Sequence, residues 1–201
     1  MEQHEGYSED AYTTEARRLI RQACGSEDVD VHILVGGTQT NMTIISSALR
    51  THQGVISVDT GHINRHETGT IEAHGHKVLA LPGENGKIDA QQVADYCYEH
   101  FHDEAFEHIV QPKMVYVSSP TEMGTIYTRQ ELLDLRRVCD EYDLYLFLDG
   151  ARLGYGLAAP GNDLDLPFLT EVCDVFYIGG TKQGALFGEA VVIRNEDLKK
   201  D

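Results

Sequence analysis

The 201-residue chain is poor in basic charge, long apolar runs and paired cysteines. Sixteen Lys and Arg stand against 33 Asp and Glu, a formal net charge of −17. Such a chain is ill suited to phosphate backbones or anionic bilayers, so neither nucleic acid nor membrane is expected as a partner. No run approaches the ~18 apolar residues of a membrane-spanning helix. No apolar stretch follows Met1, where Glu2, Glu5, Glu9 and Asp10 make an acidic start, so no secretory signal is expected. The four cysteines, at 24, 97, 139 and 173, form no C-x-x-C pair. They read as buried thiols of a cytoplasmic protein, not as a disulfide or zinc framework. The nucleotide pattern G-x-x-x-x-G-K-[ST] is missing, and G-x-G-x-x-G fails because Asn41 stands where its third Gly belongs. His62 and His66 are four residues apart, but neither H-E-x-x-H nor H-x-x-E-H occurs, and no metal is expected.

The chain does hold an alternation of helical and strand-like patterns. Helices are expected over Ala11–Ala23, Thr38–Arg50, Ile63–His74, Asp89–His102 and Thr128–Tyr142. The second last opens on an Asp cap, and the last on the capping-box pattern T-R-Q-E. Strands are expected at Val31–Val35, Val55–Val58, Lys77–Leu81, Met114–Val117, Leu144–Leu148, Val172–Ile178 and Glu189–Ile193. Repeated strand–helix–strand units with continuous apolar strands predict an α/β fold, a mainly parallel sheet with helices on both faces. In such sheets ligands bind beyond the carboxyl ends of the strands. The Gly and acidic stretch at the start, and the border-like Arg194–Asp201, raise the expectation of an incomplete chain.

Three strand ends carry suggestive residues. After the first strand, Gly36-Gly37-Thr38-Gln39-Thr40-Asn41 runs into a helix, reading either as a phosphate cradle or as a Thr-capped helix after a turn. Asp149 closes the fifth strand, where a buried carboxylate needs a partner. It would cap the next helix, pair with Arg152, or hold a pyridine nitrogen protonated. Gly179-Gly180-Thr181-Lys182-Gln183-Gly184 follows the sixth strand. A buried Lys182 would have a lowered pKa and a free amine for a Schiff base. Asp149 and Lys182 are one strand-to-strand step apart, so both would face one crevice with the Gly37-Thr38 loop. Phosphate cradle, pyridinium partner and Schiff-base lysine together describe a pyridoxal 5'-phosphate (PLP) site. His62, after the second strand, is placed to stack on the pyridine ring. His74 and His76 read as surface residues.

The stretches VGGTQTN (35–41), GHINRHETG (61–69), SSPTEMGTIYT (118–128), LFLDGARLG (146–154) and GGTKQGALFGEAVV (179–192) resemble the fold type I PLP enzymes, the aspartate-aminotransferase fold. Within these the chain resembles the threonine aldolase and β-eliminating lyase group. The resemblance implies a three-layer α/β/α large domain over residues 1–201, with the C-terminal small domain absent. It implies Lys182 as the Schiff-base anchor, Asp149 on the pyridinium, and His62 on the ring face. Gly37, Thr38 and Gln39, with Thr181 as helper, would hold the phosphate. Arg152 would bind the substrate carboxylate, and Arg65 would reach phosphate or substrate across a dimer interface. Many threonine aldolases have Asn-Thr-His where this chain has Ser119-Pro120-Thr121-Glu122, so the base for the substrate hydroxyl falls to Glu122, His66 or a water.

The implied activity is a PLP-dependent carbon–carbon lyase, cleaving L-threonine or L-allo-threonine, small amino-acid substrates, to glycine and an aldehyde. The implied assembly is a homodimer or homotetramer. The alternatives are another β-eliminating reaction of the same group, a non-catalytic cofactor-binding module, and a nucleotide-binding α/β domain.

Overall fold

The apolar runs become strands because both their faces are covered. In the computed structural model, which describes residues 10–200, the strands are β1 (Asp30–Leu34), β2 (Gln53–Val58), β3 (Lys77–Leu81), β4 (Gln111–Ser118), β5 (Tyr145–Asp149), β6 (Val175–Gly179) and β7 (Glu189–Ile193). The acidic stretch from Glu2 to Glu9 lies outside the described residues. One sheet has the order β1-β7-β6-β5-β4-β2-β3. Pairing is parallel from β3 through β6, while β7 runs antiparallel to both neighbours. All six residues of β2 are buried, whereas the edge strand β1 buries only Val31. That difference is what full and partial coverage dictate for central and edge strands.

The helices are α1 (Ala11–Cys24), α2 (Gly37–Ala48), α3 (His62–Arg65), α4 (Thr70–Ala73), α5 (Ala90–His102), α6 (Arg129–Glu141), α7 (Leu153–Leu157) and α8 (Leu166–Val172). Side chains alternate across the sheet and make two cores. Leu146, Leu148 and Phe176 pack with Cys97, Leu135 and Leu169, under α5, α6 and α8. Met114, Tyr116, Phe147 and Tyr177 pack on the other face with Ile45, Ile63 and Ile71, under α2, α3 and α4. The result is the expected three-layer α/β/α arrangement. No helix of the described residues is long and apolar enough to cross a membrane.

Local chemistry sets most boundaries. Asp89 with Gln92, and Thr128 with Glu131, form complete capping boxes at α5 and α6. Gly25, at φ 68°, ends α1 with its N–H on the carbonyls of Arg21 and Gln22. All four cysteines are free and buried. Burial pushes the Cys97 thiol up to about 12, which keeps it an inert packing group.

Four expectations are corrected. The helix expected over 63–74 is two single turns, α3 and α4, because Thr68 (φ 52°) and Gly69 (φ 71°) adopt left-handed backbone between them. Residues 172–174 are not strand. Asp165 caps α8 through Val172, and Asp174 then takes the Leu146 N–H at 2.7 Å and the Arg136 guanidinium at 2.6 Å. The short α7 was not anticipated. His76 is buried, its Nδ1 3.3 Å from the Gln53 carbonyl oxygen, whereas His74 is exposed as expected.

Gly150 bridges β5 and β6, and its place admits no larger residue. A Cβ there would lie 1.9 Å from the Tyr177 carbonyl oxygen, whereas one at Gly36 would meet nothing within 4 Å. Gly150→Ala is expected to lower Tm by about 5–10 °C, from roughly 2–3 kcal/mol of overpacking at 2–4 °C per kcal/mol for this size. Gly36→Ala is expected to lower it by less, about 1–3 °C, since Ala caps a helix worse than Gly by roughly 0.5–1 kcal/mol. Equal melting by circular dichroism would contradict the packing argument.

Candidate active site

The carboxyl ends of β4, β5 and β6 open into one cavity of about 300 Å³. Its wall includes Gly37, Thr38, His62, Glu122, Asp149, Arg152, Thr181 and Lys182, together with Asn41, His66, Glu67, Ser118, Tyr177 and Glu189. A larger cleft of about 840 Å³ between α5 and α6 contains none of these strand-end residues. Its charged wall, which includes the Lys87–Glu131 ion pair, is that of an open surface groove.

Asp149 is the centre of the cavity floor and is 4% exposed. Its Oδ1 accepts from Tyr177 OH at 2.5 Å and from the Ala151 N–H at 2.9 Å. Its Oδ2 accepts from Tyr116 OH at 2.5 Å and from Asn41 Nδ2 at 3.0 Å. Neither bland expectation for Asp149 is met: it does not pair with Arg152, and α7 has Arg152 as an N-cap without a side-chain bond. Burial, then the nearby carboxylate, pushes both phenols well above the ordinary tyrosine value. Both phenols therefore remain O–H donors to the Asp149 oxygens.

A ring of hydrogen bonds leads outward from Asp149. Asn41 Nδ2 also donates to Glu67 Oε1 at 2.8 Å, and the same oxygen takes His62 Nδ1 at 2.9 Å. The His62 backbone N–H donates to Glu122 Oε1 at 3.0 Å, and Ser118 Oγ donates to that oxygen at 2.8 Å. Ser118 Oγ lies 3.4 Å from Tyr116 OH, which returns the circuit to Asp149. Gly61 makes the approach of His62 possible, since a Cβ there would fall 2.3 Å from Ser57 Oγ. The hydrogen bond to Glu67 raises the His62 pKa above its ordinary value, against the opposing effect of burial.

The other expected residues divide into those on the wall and those off it. The helix α2 begins at Gly37 with Gly36 as N-cap and no side-chain cap, so the expected Thr cap is absent and its first N–H groups are open to an anion. Gln39 is not on the cavity wall, because its Oε1 turns back to accept the Val35 N–H at 3.0 Å. Arg65 is exposed and also off the wall, its Nε on the Asp59 carbonyl at 2.9 Å. Lys182 lines the cavity but is exposed rather than buried, because its loop turns outward, closed by Gln183 N–H on Gly180 O at 2.9 Å. Tyr155 OH donates to the Lys182 carbonyl at 3.0 Å. Among the described residues no carboxylate pairs with Arg152. Glu189 is 4% exposed, takes the Gly180 N–H at 3.0 Å, and has a pKa raised by burial.

Tyr116, Tyr177, Asn41, Glu67 and Glu189 were not anticipated. A tyrosine in an otherwise apolar buried strand needs a partner for its hydroxyl, and that signal was present at Tyr116 and Tyr177. The donor set suits a small ligand carrying an anion and hydrogen-bond donors. Asn41 Oδ1, Glu67 Oε2 and Glu122 Oε2 are buried without partners around the cavity, and such atoms call for one. A phosphate-bearing heteroaromatic aldehyde fits an open helix N-terminus, a buried carboxylate and a primary amine on one wall.

A family model described as beta-eliminating lyase matches residues 1–200. The low specificity L-threonine aldolase of Pseudomonas aeruginosa is 31% identical over 198 residues, 97% of this chain and 56% of that protein. The chain thus spans about half the length of the curated relatives it matches. A solved threonine aldolase from Leishmania major has a TM-score of 0.95 at 48% identity, covering 100% of this chain and 58% of that one. A PLP-bound C-S lyase from Staphylococcus hominis shares the fold, with a TM-score of 0.69 at 14% identity over 97% of this chain and 51% of its own. With its fold, its strand-end cavity and a family match over nearly every residue, the chain belongs to the beta-eliminating lyases.

Proposed function

We propose that this chain is the PLP-binding large domain of a carbon–carbon lyase that cleaves L-threonine or L-allo-threonine to glycine and an aldehyde. One observation carries the reading. Asp149, at the end of β5, and Lys182, just past the parallel β6, line one cavity with the open first turn of α2. The likeness to proteins named threonine aldolase, at 31% and 48% identity, supports this reaction within the family.

Bound PLP supplies an electron sink for the pair left on the substrate α-carbon when the Cα–Cβ bond breaks. The chain's own groups do the rest. The first turn of α2, with Thr181, binds the phosphate. Lys182 Nζ provides the anchoring amine. Asp149, clamped by Tyr116 and Tyr177, would hold a proton on the pyridine nitrogen, and His62 would hold the ring. Arg152 binds the substrate carboxylate through its guanidinium fork. Glu122 takes the proton of the β-hydroxyl at Oε2, since its Oε1 is already held by His62 N–H and Ser118. A homodimer or homotetramer fits the exposure of Leu186 (92%) and Phe187 (63%) a few residues past Lys182.

Incubation with PLP, borohydride reduction and peptide mass spectrometry are expected to place one stoichiometric adduct on Lys182. Lys182→Ala is expected to lose both adduct and turnover. Scattered labelling of surface lysines, or retained turnover in that variant, would sink the assignment. Assaying glycine against ammonia release separates carbon–carbon cleavage from β-elimination.

Glu122→Gln is expected to lower kcat for threonine cleavage by 10²–10⁴, the usual share of a general base. PLP affinity, read from absorbance titration, should change little. An unchanged kcat would assign the proton to His66 or to water.

A further inference from the structure

We propose that Glu67 is a positioning residue of this site: its buried carboxylate holds the His62 imidazole by Nδ1 and ties it, through the Asn41 amide, to Asp149. The purpose of this device rests on the PLP reading above; its test does not.

The Glu67 side chain is fully buried. Its Oε1 receives both His62 Nδ1 and Asn41 Nδ2, and its Oε2 is buried with no partner. A carboxylate so placed is costly unless a cation faces it. Among the described residues, His62 is the basic side chain in contact with it, a cation when protonated. The Asn41 amide is oriented by the same logic. Its nitrogen sits between two carboxylate oxygens, at 2.8 and 3.0 Å, and its own oxygen is buried without a partner. The reversed amide would set three acceptors against one another.

The backbone has been bent to bring Glu67 there. Thr68, directly after it, is held at φ 52°, unfavourable for a β-branched residue. Thr70 closes the turn by donating its N–H and hydroxyl to the Glu67 carbonyl at 3.0 and 2.5 Å. Strain of this kind persists where its surroundings over-determine it.

With Nδ1 held by Glu67, Nε2 is the nitrogen His62 presents to the cavity. Besides Glu67, the charged and titratable groups around the cavity are His66, Asp149, Glu122, Lys182, Arg152, Tyr177 and Glu189. Of these, Asp149 supports protonation of His62 and Lys182 opposes it, each less than Glu67 does.

The test is ring NMR of His62 in the whole chain without PLP, assigned by the peak lost in His62→Gln. The wild-type midpoint is expected above the ordinary ~6.5, with the Nδ1–H tautomer on the basic side. Glu67→Gln should lower the midpoint by about one pH unit or more and abolish the tautomer preference, while Glu67→Asp keeps most of both. An unshifted His62 in Glu67→Gln, or a wild-type midpoint below 6.5, overturns the proposal. Should Glu67→Gln fail to fold by circular dichroism, the wild-type tautomer and Glu67→Asp decide. Absence of a Lys182 adduct with this His62 signature intact would sink the cofactor reading alone.

Discussion

A carboxylate at the floor of a sheet-end cavity is the constraint on which the rest of this structure depends. An ionised Asp out of contact with water costs several kcal/mol unless its lone pairs are met. Asp149 has four donors for its two oxygens, from β4, β6, α2 and the turn that follows β5. Each donor comes from a different piece of chain, so the pieces must arrive together. The same burial that makes the carboxylate costly keeps the two phenols protonated, and so makes them dependable donors.

That requirement reaches back into strand register. On β4 and β5, Ser118 pairs with Asp149, and Tyr116 lies two residues earlier on the same face. On β6, Val175 pairs with Phe147, so Tyr177 comes level with Asp149 from the other side. A slip of one residue in either pairing would turn a tyrosine into the opposite core and leave the carboxylate bare. The apolar pattern enforces the same register, since Phe147 belongs to one core and Leu146 and Leu148 to the other. Packing and site therefore select a single alignment. Gly150, with no room for a Cβ against Tyr177, seals it at the strand end.

Much of this was legible in the sequence, because strand-end chemistry depends on residue type and order alone. The alternation of elements, the mainly parallel sheet and the meeting of Gly37, Thr38, His62, Asp149 and Lys182 on one wall follow from where the apolar runs stop. What escaped depended on three-dimensional partners. Glu67 sat inside an expected helix, and only the left-handed Thr68-Gly69 pair turns it under His62. Asn41 looked like a failed glycine motif, although its amide joins two carboxylates. Gln39 had the right position but an nearer acceptor role, satisfying the Val35 N–H. Asp174 was absorbed into a strand because its neighbours are apolar, while its carboxylate in fact joins α6 to β5.

The site also divides its residues by how firmly they are held. Asp149, His62 and Glu122 are each fixed by at least two hydrogen bonds to side chain or backbone. Lys182 stands on an exposed loop, secured through its backbone by Tyr155 and the Gly180 turn while its side chain lines the cavity. This division suits the chemistry proposed. Groups that set charge at a bound ring work best when they need no reorganisation at the moment of reaction. An amine that must bond, release and bond again needs freedom in its stem, and four methylenes beyond a closed turn provide it. The firmly bonded groups sit on β5, on α3 and in the turn after β4, and the exposed Lys182 on the loop beyond β6, so the strand ends of one α/β sheet supply both.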